Sequence, residues 1–142
     1  MNDPYFDTHV AADRLFQEWR KHGKIIIALD YDDTIFDYHS RGFAYPAVIS
    51  LVHRCAEVGA YVCIFTGSPP DKYPAIKAYV ESLGIPVASI NTNPFPMPFG
   101  NHGKMYYNIL LDDRAGLGQA YTILREALAS YLFSPTQAAP SS

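Results

Sequence analysis

The chain has 142 residues, 49% of them hydrophobic and 18% charged. That is one domain's worth of sequence with enough apolar side chains for a core, and disorder is not indicated. A formal net charge of -3 leaves no electrostatic footprint for nucleic acid or an anionic membrane surface, and no run approaches the roughly 18 apolar residues of a membrane helix.

Nothing at Met1-Asn2-Asp3-Pro4-Tyr5 reads as a basic region followed by an apolar run, so a cytoplasmic setting is expected. Asp7 or Thr8 can cap a first helix with Leu15, Phe16 and Trp19 on one side, and Gly23 can end it. Lys24 to Leu29 then forms a continuous apolar run, Lys24-Ile25-Ile26-Ile27-Ala28-Leu29. Continuity rather than alternation predicts a strand buried on both faces, as in a parallel sheet. That strand runs straight into Asp30-Tyr31-Asp32-Asp33-Thr34. Asp30 and Asp32 lie two apart, so both carboxylates can face one cavity as the chain leaves the strand, and their repulsion has to be offset. A hard divalent cation, Mg2+ above all, offsets it while also taking phosphate oxygens, so the strand end reads as a site of phosphate chemistry.

A short flap follows, in which Phe36, Asp37, Tyr38, His39, Arg41, Phe43 and Tyr45 mix aromatic and hydrogen-bonding groups. Stacking on a substrate and plain local packing are both open to the aromatic members. Pro46 suits a helix first turn, with Val48, Leu51, Val52 and Cys55 at helical spacing up to Gly59. Tyr61 to Phe65 is the second strand, and Cys55 and Cys63 read as reduced core thiols. After the turn residues Thr66-Gly67-Ser68-Pro69-Pro70-Asp71, a third helix carries Ile76, Val80 and Leu83 and stops at Gly84. Ile85 to Ala88 is expected as a short third strand. The alternating prolines of 91–100 exclude helix and central strand alike, leaving a loop in which Phe95 and Phe99 could form a wall or a dimer contact. Tyr107 to Leu111 is the fourth strand, closed by Asp112-Asp113, and Leu117, Tyr121, Leu124, Leu128 and Tyr131 mark a last amphipathic helix. The tail from Ser134 is expected to be frayed.

Strands alternating with helices imply a three-layer, Rossmann-like α/β sandwich with a mostly parallel central sheet, in one domain over 1–133. Ligands bind such sheets beyond the carboxyl ends of the strands, where Asp30, Thr66 and Asp112 all fall.

Four features in order, Asp30-x-Asp32-x-Thr34, Thr66-Gly67, Lys104 and Asp112-Asp113, resemble the motif set of the haloacid dehalogenase superfamily of phosphotransferases over roughly Lys24 to Asp113. A response-regulator receiver domain fits less well, because its phospho-acceptor Asp would end a middle strand, and here the second strand ends in Thr66. The resemblance implies Asp30 as nucleophile forming an aspartyl-phosphate, and Asp32 as the acid and base for leaving group and water. It implies Thr66, the Gly67 N–H and Lys104 as phosphate contacts, with Lys72 a competitor for the lysine role. Mg2+ would be held by Asp30, the Asp32 carbonyl and the Asp112-Asp113 pair, Asp112 in direct contact, with Thr34 bracing the loop.

Neither 35–45 nor 91–103 has room for a cap domain, so a capless, open site is expected. It suits a small phosphorylated metabolite, a nucleotide or a phosphorylated polymer end, or closure by a second copy of the chain, with His39 and Arg41 as candidate substrate contacts. The expected activity is Mg2+-dependent phosphomonoester hydrolysis. A catalytically silent phosphate- or partner-binding module, or transfer to an acceptor other than water, are the alternatives. No GxxxxGK nucleotide loop occurs.

Overall fold

A computed structural model describes residues 3–95, 97 and 104–134. Phe99 and the tail positions 135–142, about which the sequence raised expectations, lie outside the described residues.

The first helix, α1 (Thr8–His22), starts where the Asp7 carboxylate accepts the His9 and Val10 N–H groups and ends at Gly23, whose φ of 74° only glycine adopts without strain. Strand β1 (Ile26–Asp30) follows. Every side chain from Ile25 to Leu29 is fully buried, as the unbroken apolar run requires of a strand covered on both faces. Helix α2 (Pro46–Glu57) then leads to β2 (Tyr61–Phe65), and α3 (Tyr73–Ser82) leads to β3 (Ser89–Ile90). The chain returns without a described helix to β4 (Ile109–Leu111) and closes with α4 (Leu117–Phe133).

All four strands are parallel, in the order β3-β2-β1-β4. Helices flank the sheet, giving a Rossmann-like three-layer α/β sandwich with no cap domain among the described residues. Because β2 and β4 lie on opposite sides of β1, the direction of strand addition reverses beside β1. Open parallel sheets leave their binding crevice at that reversal.

The core gathers Trp19, Leu51, Ile64, Leu111 and Leu124 around the isoleucines of β1. Helices α1 and α4 are joined through Trp19 and Tyr131, whose rings stack at 4.7 Å, and the Trp19 indole N–H donates to the Val58 carbonyl at 3.3 Å. Both cysteines are buried free thiols, and burial pushes the Cys55 thiol up to about 12, which makes it inert. Among the described residues no helix is long and apolar enough to cross a membrane.

The third strand lies later than its apolar residues suggest. Ile85 to Ala88 is not strand; Ser89 pairs with Cys63 and Ile90 with Ile64. Pro86 has no N–H for a ladder, and Ile85, fully buried, serves the core from the turn before the strand. Likewise Tyr107 and Asn108 precede β4 rather than belonging to it. There the Asn108 N–H donates to the Ile26 carbonyl at 2.8 Å, and its side chain completes the pair by accepting the Ile26 N–H at 2.6 Å while donating to Glu18 at 2.9 Å.

Candidate functional site

Register alone brings the acids together. Asp30 closes β1, and Asp112 stands one residue beyond Leu111, which pairs with Leu29. The two therefore flank the point where strand order reverses. Carboxylate oxygens of Asp30, Asp112 and Asp113 all lie within 4.8 Å of one another. They open into a cavity of about 370 Å³ that Asp32 and Asp33 also line. Tyr38, His39 and Arg114 complete its wall.

Five carboxylates against one arginine and one histidine is a strongly negative site. Burial pushes Asp30 up to about 7, helped by a hydrogen bond to the Asp113 carboxyl and the charge of Asp112. Asp32 is raised as well, first by burial and then by Asp33 and Asp113, with His39 opposing. Hard oxygen donors, closely grouped and starved of positive charge, fit a small divalent cation such as Mg2+.

Thr34 ties the two acidic strand ends to each other. It is the one buried polar side chain among the described residues, with no exposed surface. Its hydroxyl lies 3.2 Å from both the Asp30 and the Asp113 carboxylates and accepts the Asp113 N–H at 3.1 Å. One hydroxyl hydrogen serves two acceptors, so it bridges them by alternation or sharing. The chain between Asp32 and Phe36 folds back tightly: the Asp33 N–H donates to the Phe36 carbonyl at 2.7 Å. Phe36 stacks on Tyr31 at 4.9 Å and meets Tyr79 of α3 edge-on. Packing is thus the role of Phe36, while Tyr38 and Phe43, 61% and 59% exposed, stay at the mouth.

Thr66 and Gly67 follow Phe65, the β2 partner of Asp30. The Thr66 N–H and carbonyl are both taken by the side-chain amide of Asn91, at 2.9 and 2.8 Å, and its hydroxyl accepts the Ser68 N–H at 3.1 Å. The same amide donates to the Tyr73 hydroxyl at 2.8 Å. Sequence reasoning missed Asn91 as the bolt of this turn. Its φ of 57° is tolerated by asparagine better than by most residues, and that tolerance was the available signal. Space in front of Gly67 is open, a Cβ there meeting nothing within 4 Å.

Lys104 lines a cavity with Arg14, Glu18 and Met105 to Asn108; like Thr66 and Gly67, it is not among the residues lining the cavity of the aspartates. The physical reason is the connection that carries it: the Lys104 carbonyl accepts the Asn93 amide at 2.7 Å and the Tyr106 N–H donates back to Asn93 at 2.8 Å. Its backbone is thereby tied to the chain leaving β3, two strands away from Asp30. Lys72, the competitor, is exposed in a 3-10 turn before α3 and is not among the residues lining the acidic cavity either. The arginine that does line it is Arg114, whose backbone N–H donates to the Asp112 carboxylate at 2.9 Å. Its place directly after Asp112-Asp113 was the available signal for it.

His39 does reach the cavity, its Nδ1 lying 2.6 Å from the Asp33 carboxylate. Arg41 lines an adjoining cavity instead, one that His39 shares.

A solved structure, that of the conserved protein coded by a locus from Bacteroides thetaiotaomicron, is similar to this chain. Its TM-score is 0.57 at 17% identity, over 72% of this chain and 91% of that one. At that identity the likeness shows the fold alone. No protein-family model and no curated protein matches the chain.

Proposed function

We propose that the chain is a Mg2+-dependent phosphomonoester hydrolase of the haloacid dehalogenase type. The observation that carries the reading is the meeting of Asp30, Asp112 and Asp113 oxygens within 4.8 Å at the reversal point of a parallel sheet. Mg2+ would be held by these carboxylates and by the Asp32 carbonyl, and when bound it supplies the positive charge that keeps Asp30 ionised and polarises the phosphoryl group.

Asp30 attacks phosphorus in line, forming an aspartyl-phosphate as the ester oxygen leaves. Asp32 sits two residues on, in the same cavity, and its raised pKa suits a carboxyl that must hold a proton until the leaving oxygen needs it. It then takes a proton from the water that hydrolyses the intermediate. Thr34 keeps Asp30 and Asp113 in register with each other. Thr66 and the Gly67 N–H, which follow the β2 partner of Asp30, would supply the phosphate contacts from that side.

The test is hydrolysis of p-nitrophenyl phosphate and a panel of phosphate monoesters with Mg2+, with EDTA, and by Asp30→Asn. Activity that needs Mg2+ and vanishes in Asp30→Asn is expected. Activity surviving in purified Asp30→Asn overturns the assignment.

One observation favours a second reading: Lys104 lines a different cavity from the aspartates, so the expected charge partner of the transition state is not among the groups lining theirs. A catalytically silent module that binds a cation and a phosphate would need no such lysine. Beryllium fluoride separates the two, since only a competent Asp30 traps it.

A further inference from the structure

The acidic cavity continues into a second one of about 320 Å³. Asp33, His39, Asp113 and Arg114 line both, and the second adds Arg41 and a wall of Phe43 and Tyr45. It sets two arginines and a histidine beside two carboxylates, where the first sets one arginine and a histidine against five. Among the described residues, neither Arg41 nor Arg114 makes a close ion pair, though the charge of Arg41 helps hold the Asp37 carboxyl below its usual range. The two carboxylates that share the cavity are already engaged, Asp33 with His39 at 2.6 Å and Asp113 with Thr34 at 3.2 Å. Arg41 is fixed at its root as well: its N–H and that of Gly42 donate to the Asp37 carboxylate at 2.9 and 2.7 Å.

We infer that this adjoining cavity is a subsite for a second phosphate group, held by Arg41 and Arg114, so that the substrate is an organic bisphosphate. The assignment of a substrate rests on the hydrolase reading above. A guanidinium presents five N–H donors in a planar fork that matches phosphate oxygens two at a time. Two such forks around one small cavity suit a dianion, and exceed what a single carboxylate or a neutral leaving group would use. The phosphate to be cleaved lies at Asp30, where the arrangement is built for a cation and phosphorus together. The group in the adjoining cavity is retained. Between them His39 belongs to both walls, and the rings of Phe43 and Tyr45, 6.3 Å apart and inclined at 58°, offer separate faces on one of which a planar scaffold such as a nucleobase can stack.

Calorimetric binding to Asp30→Asn protein in Mg2+ tests this without turnover, using adenosine 3′,5′-bisphosphate against adenosine 5′-monophosphate. The bisphosphate is expected to bind about tenfold or more tightly. The preference should fall below about threefold in Arg41→Ala and in Arg114→Ala, survive partly in Arg114→Lys, and stay unchanged in Lys72→Ala. Equal affinity for the two compounds, or a preference that both arginine variants retain, overturns the subsite. The two readings fail separately. Wild-type hydrolysis of monoesters with no bisphosphate preference leaves the hydrolase standing and removes the subsite. An arginine-dependent preference in a wild type inert towards every monoester does the reverse.

Discussion

Replacing Thr34 by valine removes one hydroxyl and almost no volume, and it separates the bracing of the site from its chemistry. The side chain has no exposed surface, so no water reaches its position to replace what is lost. The Asp113 N–H loses its acceptor at 3.1 Å, and the carboxylates of Asp30 and Asp113 lose a donor at 3.2 Å. A hydrogen bond to a charged group is worth about 1.5–3 kcal/mol, and a stranded N–H costs about 1–3 kcal/mol. Asp30 is half-exposed and Asp113 exposed, so water takes up part of their share and the net loss comes to about 2 kcal/mol. For 142 residues the unfolding entropy is about 0.3 kcal/mol/K, which puts the drop in Tm near 7 °C. Thr34→Ser is the control. It keeps the hydroxyl and deletes a buried methyl, at about 1 kcal/mol or roughly 3 °C. Thermal melts followed by circular dichroism, with and without Mg2+, read both effects, because a ligand that binds the folded state raises Tm. Wild type and Thr34→Ser should gain stability from Mg2+, and Thr34→Val should gain much less. A valine variant melting within about 2 °C of wild type, or a serine variant that loses the Mg2+ response as fully as valine does, would refute the bracing argument.

Stability should also depend on pH through Asp30, which folding raises from 3.8 to about 7. A carboxyl raised on folding stabilises the protein below its unfolded pKa, and that contribution is lost as pH rises through the folded value. In EDTA the Tm of wild type relative to Asp30→Asn should therefore fall between about pH 4 and pH 7, with Mg2+ flattening the fall; a constant difference across that window contradicts it. Gly59→Ala should be strongly destabilised, by about 2–3 kcal/mol, because φ there is 104° and a Cβ would come within 2.6 Å of the Gly23 carbonyl oxygen; a wild-type melt would show the contact relaxes. Lys104→Ala should hold kcat/KM within about tenfold of wild type, a barrier change under about 1.4 kcal/mol, since Lys104 lines another cavity. A loss of several hundredfold in a steady-state assay would restore it to the site.

The sequence made β1 legible because both its faces are buried, so its apolar run carries no competing signal. Asp7 and Gly23 were legible because capping is local chemistry. The same locality located the acids: a residue just past a buried strand must lie at the sheet's edge, and Asp30 and Asp112 needed only strand pairing to meet. What failed was long-range. Where Lys104 sits depends on a return from β3 that Asn93 pins by two hydrogen bonds, and no periodicity encodes such a path. Ile85 looked like strand because core burial and strand pairing favour the same residue types, whereas Pro86 decides between them. Arg114 went unread because a turn residue's direction is set by the turn, here closed by the Ala115 N–H to the Asp112 carbonyl at 2.9 Å, and not by its own type.

The clasp of Asn93 on Lys104 and Tyr106 has a meaning for how such a chain can be remodelled. One amide side chain closes a neck, with residues 94–103 lying between its two ends in the sequence. Each doubling of a loop held at its ends costs only about 0.6 kcal/mol in closure entropy. New sequence could therefore be spliced in at this neck while the strand pairing on either side stays intact. A scaffold of this kind can acquire a lid by lengthening one segment, leaving the acids at the end of β1 where they are.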